Sequence, residues 1–291
     1  MVDSDYDEAE FELFKEPDNF RPATPEPTFQ IVEREPEVVE PGSVSSFKIR
    51  LVAQHSLWAH CLWNAGVCLA RHIDRNRSLV RGKCILELGA AAGLPSLTAA
   101  LVGAQKVLMT DYPEPVLIDN MRFNAKENLP DATHNGVIGC QGFLWGADPF
   151  PLLDWLKFSN AGPEHGARKY DLIFLADLIF NHTEHRRMLK TIDECLTDEG
   201  EAIVIFSHHR PWLKARDMKF FEIASAPRLS LPDAPNGIPD DGGSDDDGAE
   251  TDGFGFRCEH MWDERMPAMF PTDPGDEAER STVHCWRITR R

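Results

Sequence analysis

Long uncharged apolar runs are missing from these 291 residues, and none approaches the roughly 18 positions a membrane-spanning helix needs. A basic, apolar leader is missing as well. The chain opens Met1-Val2-Asp3-Ser4-Asp5-Tyr6-Asp7-Glu8, a start that argues against export. Paired cysteines are absent too: Cys61, Cys68, Cys84, Cys140, Cys195, Cys258 and Cys285 stand singly, with no Cys-x-x-Cys and mostly apolar neighbours. Reduced, buried thiols in the cytosol or nucleus are the expectation, with the cytoplasm as the assigned compartment.

Positive charge is also scarce, but unevenly so. Residues 1–40 hold 13 acids against 3 bases and residues 233–252 hold 8 acids and no base, which accounts for the whole formal net charge of -18. The remainder is balanced, with 27 residues of each sign, so it carries no basic excess for a nucleic-acid backbone. The composition therefore divides the chain into an acidic, proline-punctuated, partly disordered arm over 1–45 and a folded domain over 46–291, the latter carrying an acidic flexible insert at about 230–253. Both acidic segments read either as solvated tails or as a field that steers a basic partner. Leu13-Phe14 and Phe20-Arg21-Pro22 place aromatic anchors in the arm, which can dock on the body. A monomer is expected, because the net charge gives no reason for assembly.

Within the body, apolar spacing predicts a helix over 57–73 and then strands alternating with helices. Strands are expected at 83–88, 106–111, 137–141, 171–177 and 202–207, with helices at 94–102, 114–127, 183–196 and 212–223. Two closing strands, 254–261 and 283–289, have no convincing helix between them, so the last should enter antiparallel. Strands apolar along their whole length belong in a mostly parallel sheet covered on both faces, here an α/β fold of about seven strands.

The run Glu87-Leu88-Gly89-Ala90-Ala91-Ala92-Gly93 follows the first of these strands and opens a helix. Small side chains there let a ligand approach the backbone, and the helix start offers free amide donors. Asp111 ends the next strand, where a carboxylate can accept hydrogen bonds from both hydroxyls of a ribose. The run lacks the Gly-x-Gly-x-x-Gly of a dinucleotide site, and the Glu87 carboxylate suits a cationic cofactor better than a diphosphate. S-adenosylmethionine fits that description, since it carries a ribose, an ammonium and a sulfonium.

Leu57-Trp58-Ala59-His60-Cys61-Leu62-Trp63-Asn64-Ala65, the loop from Glu87 to Gly93, Thr110-Asp111-Tyr112-Pro113, Leu144-Trp145-Gly146 and Ala176-Asp177-Leu178-Ile179-Phe180 occur in a fixed order. That ordered set resembles the family 16 lysine methyltransferases. With Leu13-Phe14-Lys15-Glu16-Pro17-Asp18-Asn19-Phe20-Arg21-Pro22 it is similar to a fungal branch that methylates the N-terminus and a lysine of translation elongation factor 1-alpha, formerly labelled nicotinamide N-methyltransferase. The resemblance implies a class I, Rossmann-like methyltransferase fold of seven strands with an antiparallel last strand. It also implies a cofactor pocket built from Trp63, Glu87, Gly89, Ala90, Ala91, Gly93, Asp111, Tyr112, Trp145 and Ala176, with Ala91 standing where many relatives carry glycine. Asp177 and Phe180 would face the transferring methyl, with Asn181 as a further contact for the amine; Asp177 as a plain helix cap is the competing reading.

The implied acceptor is elongation factor 1-alpha. A small-molecule transferase acting on nicotinamide and a non-catalytic cofactor-binding module remain as alternatives. A metal centre is not expected: His182, His185, His208 and His209 have no cysteine or carboxylate at ligand spacing to complete a set. Ser96 and Ser207 lack a nucleophile-elbow context.

Overall fold

The computed structural model describes residues 26–157, 169–228 and 252–291. The aromatic anchors between Leu13 and Phe20 and the run Asp240–Asp247 lie outside them.

Two strands, β1 (Thr28–Glu33) and β2 (Ser46–Leu51), pair as an antiparallel hairpin apart from the main sheet. In β2 the residues alternate, with Phe47, Ile49 and Leu51 buried and Lys48 and Arg50 turned outward, as the period of a half-buried strand requires. Helix α1 (Asn64–Arg75) follows, then β3 (Cys84–Leu88), α2 (Leu94–Leu101), β4 (Lys106–Asp111) and α3 (Pro115–Asn128). The outer edge of β2 finds its hydrogen bonds on α3: Asn124 and Asn128, spaced one turn apart, accept from the amides of Arg50 and Lys48 at 2.8 Å each and donate back to their carbonyls at 2.9 and 3.0 Å. Side-chain amides thus substitute for a missing strand. Arg34, between the hairpin strands, is fixed to α1 by two 2.7 Å bonds to the buried Asp74 carboxylate. The 28–45 segment is therefore docked on the body.

The chain continues through α4 (Pro130–His134), β5 (Ile138–Gly142), α5 (Phe150–Lys157), β6 (Tyr170–Ala176), α6 (His185–Cys195), β7 (Leu196–Ser207), α7 (Lys214–Ser225), β8 (Arg257–Arg265), α8 (Glu277–Arg280) and β9 (Thr282–Thr289). The main sheet has seven strands in the order β5-β4-β3-β6-β7-β9-β8. Pairing is parallel from β5 to β7, and β9 inserts antiparallel between β7 and β8. Both faces are covered: α5, α6 and α7 pack on one side, while α1, α2 and α3 pack on the other. This is why all five residues of β3, Glu87 included, are buried.

Helix α1 begins at Asn64 rather than near residue 57, because Trp58 has φ 61° and the 57–63 segment runs as turns. Leu57 and Trp58, in phase with the helix, line a cleft instead of the core. Helix α5, which the sequence did not signal, is short and sits among the prolines Pro149 and Pro151. Four cysteines are buried, Cys61, Cys140 and Cys258 are half-buried, and none of the seven forms a disulfide. No described helix is long and apolar enough to cross a membrane.

Candidate active site

After β3 the chain goes first to β4 on one side and later to β6 on the other, so a crevice opens at the carboxyl ends of these strands. The loop leaving β3 has Gly89 at φ 58°, Ala91 at φ 48° and Gly93 at φ 77°. A Cβ on Gly89 would lie 2.5 Å from Leu178 Cδ2 and 3.3 Å from Trp145 Cζ2, and one on Gly93 would lie 2.2 Å from Met109 Sδ. These positions need glycine both for backbone conformation and for space.

The loop is tied to its neighbours by named bonds. Ala90 N–H donates to the Thr110 carbonyl at 2.9 Å, and the Thr110 hydroxyl donates to the Glu87 carbonyl at 2.7 Å. Asp111 accepts from the amides of Ala91 (2.6 Å) and Tyr112 (2.7 Å), one on each carboxylate oxygen. Burial raises the pKa of Asp111, and those two backbone bonds oppose the rise. Glu87 lies under the loop, where its Oε2 accepts from the amide (3.1 Å) and the hydroxyl of Ser96 in the first turn of α2. Burial pushes the Glu87 carboxyl up to about 8 against these bonds, with the Asp111 charge adding to the rise.

A cleft of about 750 Å³ is lined by Trp63, Gly89, Ala91, Asp111, Tyr112, Trp145, Ala176, Asp177, Phe180 and Asn181, all expected from the sequence. Its size is in the range of small-molecule sites. Glu87, Ala90 and Gly93 face a small adjoining recess under the loop together with Trp63 and Gly89. Trp145 is held in the wall because its neighbour Gly146 receives a bond from Lys190 (2.8 Å) and donates its amide to Thr191 Oγ1 (2.8 Å), both on α6. Among the described residues, the non-glycine positions with positive φ are Trp58, Ala91 and Asp177, and all three line this cleft. Unfavourable backbone concentrated at one cavity marks a working site.

Asp177 does not cap a helix, since α6 begins after Glu184. It is 3% exposed, and its Oδ1 accepts from Ser207 N–H and His209 Nε2–H, each at 3.1 Å, while Oδ2 is buried without a partner. His209 belongs to a second cavity of about 210 Å³ that shares Trp58, Trp63 and Phe180 with the first. There Trp63 stacks on Phe180 at 6.1 Å and meets His209 edge-on at 5.0 Å, and Phe270 stands 5.9 Å from Trp63 and 5.6 Å from Trp58. Four aromatic rings beside buried carboxylates can hold an ammonium group.

Spacing could not reveal His209, Phe270 or Asp217 as members of this wall. His209 lies just past the end of β7, Phe270 sits in a loop between β8 and α8, and Asp217 on α7 holds His182 and His208 at 2.7 Å each. His185 is buried, and its Nε2–H donates to the Ile179 carbonyl at 2.6 Å. Away from both cavities, Asp263 Oδ1 lies 2.7 Å from His260 Nε2 and 2.8 Å from His284 Nδ1, a His/Asp group assembled from two strands.

The chemistry of the crevice fits an adenosyl cation: free lone pairs on Asp111 for a ribose, the flat Trp145 wall, glycine where a Cβ would clash, and two buried carboxyl groups near the loop. A family model described as lysine methyltransferase matches residues 52–226. A Schizosaccharomyces pombe protein named protein N-terminal and lysine N-methyltransferase efm7 is 38% identical over 99% of this chain and 98% of its own length. Relatives of the same name from Eremothecium gossypii and Cryptococcus neoformans are 35% and 36% identical, over 96% and 86% of this chain and 94% and 78% of their own lengths. The chain belongs to the lysine methyltransferase family and to its fungal EFM7 branch.

Proposed function

We propose that this protein is an S-adenosylmethionine-dependent protein N-methyltransferase that acts, as a cytoplasmic monomer, on the N-terminal α-amine and the adjacent lysine of translation elongation factor 1-alpha. The observation that carries the reading is the pair of cavities that share Trp58, Trp63 and Phe180 in their walls, one suited to an adenosyl group and the other to a cation. S-adenosylmethionine, when bound, supplies an electrophilic methyl on a sulfonium. Asp111, Trp145, Trp63 and the Gly89–Gly93 loop would hold it.

The chain's own residues have three tasks. Aromatic walls exclude water and align the acceptor nitrogen, and positioning is most of the work in such a displacement. The nitrogen must also be neutral. Near pH 7.4 about one lysine in a thousand is neutral at a pKa of about 10.4, whereas an α-amine near 7.8 is about a quarter neutral. An N-terminal amine is thus the easier nucleophile, and a lysine needs the desolvation that this aromatic cavity provides. The acidic segments suit a basic peptide end.

Incubating the protein with labelled S-adenosylmethionine and recombinant elongation factor 1-alpha lacking its initiator methionine, then mapping the label by mass spectrometry, tests the reading. Label at the α-amine and the next lysine is expected. A protein that binds the cofactor but labels neither position, or that methylates nicotinamide instead, rejects it.

A further inference from the structure

The Asp177–His209 pair joins the two cavities. Asp177 lines the larger one, His209 lines the smaller, and a 3.1 Å bond runs from His209 Nε2–H to Asp177 Oδ1. With Nε2 committed as donor, a neutral ring carries its lone pair on Nδ1. Among the described residues the ring makes no other hydrogen bond, and it opens on the smaller cavity beside Trp63 and Phe270. Asp177 is itself fixed by the Ser207 amide and by its own N–H, which donates to the Ile205 carbonyl at 2.8 Å.

We propose that His209 is a catalytic base that takes the proton from the acceptor ammonium, with Asp177 as the residue that orients it and balances its charge. The inference rests on the reading of the protein as an amine methyltransferase. The ammonium N–H bond breaks and its proton goes to His209 Nδ1, giving an imidazolium held by Asp177. The freed nitrogen pair then forms the bond to the methyl carbon while the carbon–sulfur bond breaks. Those electrons stay on sulfur, which leaves as neutral S-adenosylhomocysteine. His209 returns its proton to water through the smaller cavity.

The surroundings suit this role. Burial works to lower the pKa of His209, but the charge and hydrogen bond of Asp177 and the charge of Asp217 outweigh it, with Arg210 opposing; the result is raised above the ordinary 6.5. His182 and Asp273 are the other charged or titratable groups on the same cavity. A base in the upper histidine range matches an α-ammonium better than an unperturbed imidazole would.

The test is the pH dependence of kcat between about pH 6 and 9.5 on elongation factor 1-alpha with a free mature N-terminus, together with calorimetric binding of S-adenosylhomocysteine. Wild type should level off above a single bend in the histidine range. His209→Gln should keep its S-adenosylhomocysteine affinity within about twofold, lose about a hundredfold in kcat near pH 7, and recover most of that loss by pH 9 as the ammonium loses its proton to solvent unaided. A constant deficit at every pH would show a structural role and overturn the proposal. Should His209→Gln not fold, Asp177→Asn decides: the imidazole of His209, followed by nuclear magnetic resonance without any acceptor, should titrate at lower pH than in wild type, and an unmoved titration overturns the proposal. Wild-type protein inactive on the elongation factor rejects that substrate alone; the same profiles are then taken on basic peptides with free N-termini.

Discussion

The backbone N–H of Ala91 donates to Asp111 Oδ2 at 2.6 Å, tying the loop after β3 to the acid that ends β4. Tyr112 N–H holds the other oxygen at 2.7 Å, so the carboxylate is fixed from both sides. A carboxylate offers about four lone-pair sites, and two are used here. Asp111 lines the cleft, and a preformed acceptor avoids part of the ordering cost of binding.

Replacing Asp111 by Asn turns one of these acceptors into an N–H₂ that faces a backbone N–H. Asp111→Asn should weaken S-adenosylhomocysteine binding by about tenfold to a hundredfold, roughly 1.4 to 2.7 kcal/mol. Isothermal calorimetry reads this directly. Unchanged affinity would remove Asp111 from the ribose site.

Glu87 predicts a pH dependence with a definite sign. Its carboxyl is raised from 4.5 to about 8 by burial, so the folded protein holds a proton that the unfolded chain has released. The stabilising contribution is fully present below about pH 4.5 and is lost as pH rises through about 8. Glu87→Gln, which mimics the protonated form, should match wild type near pH 5 and be the more stable of the two above pH 8 in denaturant titrations. A bound ammonium or sulfonium favours the ionised form. Wild-type cofactor affinity should therefore rise with pH up to about 8, and the variant's should stay flat. Parallel affinity profiles would show that Glu87 senses no cofactor charge.

The Arg34–Asp74 pair, with side chains 4% and 5% exposed, governs the docking of the 28–45 segment. Removing one partner leaves a buried charge, at a cost of about 3–5 kcal/mol, whereas replacing both by apolar residues is often close to neutral. Arg34→Met should lower the unfolding free energy by an amount in that range, and Arg34→Met with Asp74→Leu should recover most of it. Additive losses in the double variant would contradict this account.

How much of this was legible in the sequence depended on the range of the interaction involved. Strands β3, β4 and β6 could be read because both faces of the sheet are covered, which demands uninterrupted apolar runs such as Ile85-Leu86 and Ile173-Phe174-Leu175. The loop and Asp111 could be read because neighbouring parallel strands place the end of β4 beside the end of β3. The helical phase of the sequence runs back to Leu57 although α1 starts at Asn64, because Leu57 keeps that phase while serving the cleft. The β1–β2 hairpin escaped because its edge is satisfied by asparagines about 75 residues away on α3, a pairing with no local pattern.

The sequence by itself determined the fold class, the small-residue loop after β3, the acid that ends β4 and the family, since each depends on residue type at short, fixed spacing. Only the tertiary structure decided what stands opposite Asp177. His209 lies 32 positions onward, after β7, and reaches it because β6 and β7 pair in parallel and end side by side. Phe270 and Trp58 join the same wall from a loop near the end of the chain and a left-handed turn near its start. Such convergence is set by strand order and loop path, and residue spacing along one chain does not encode it.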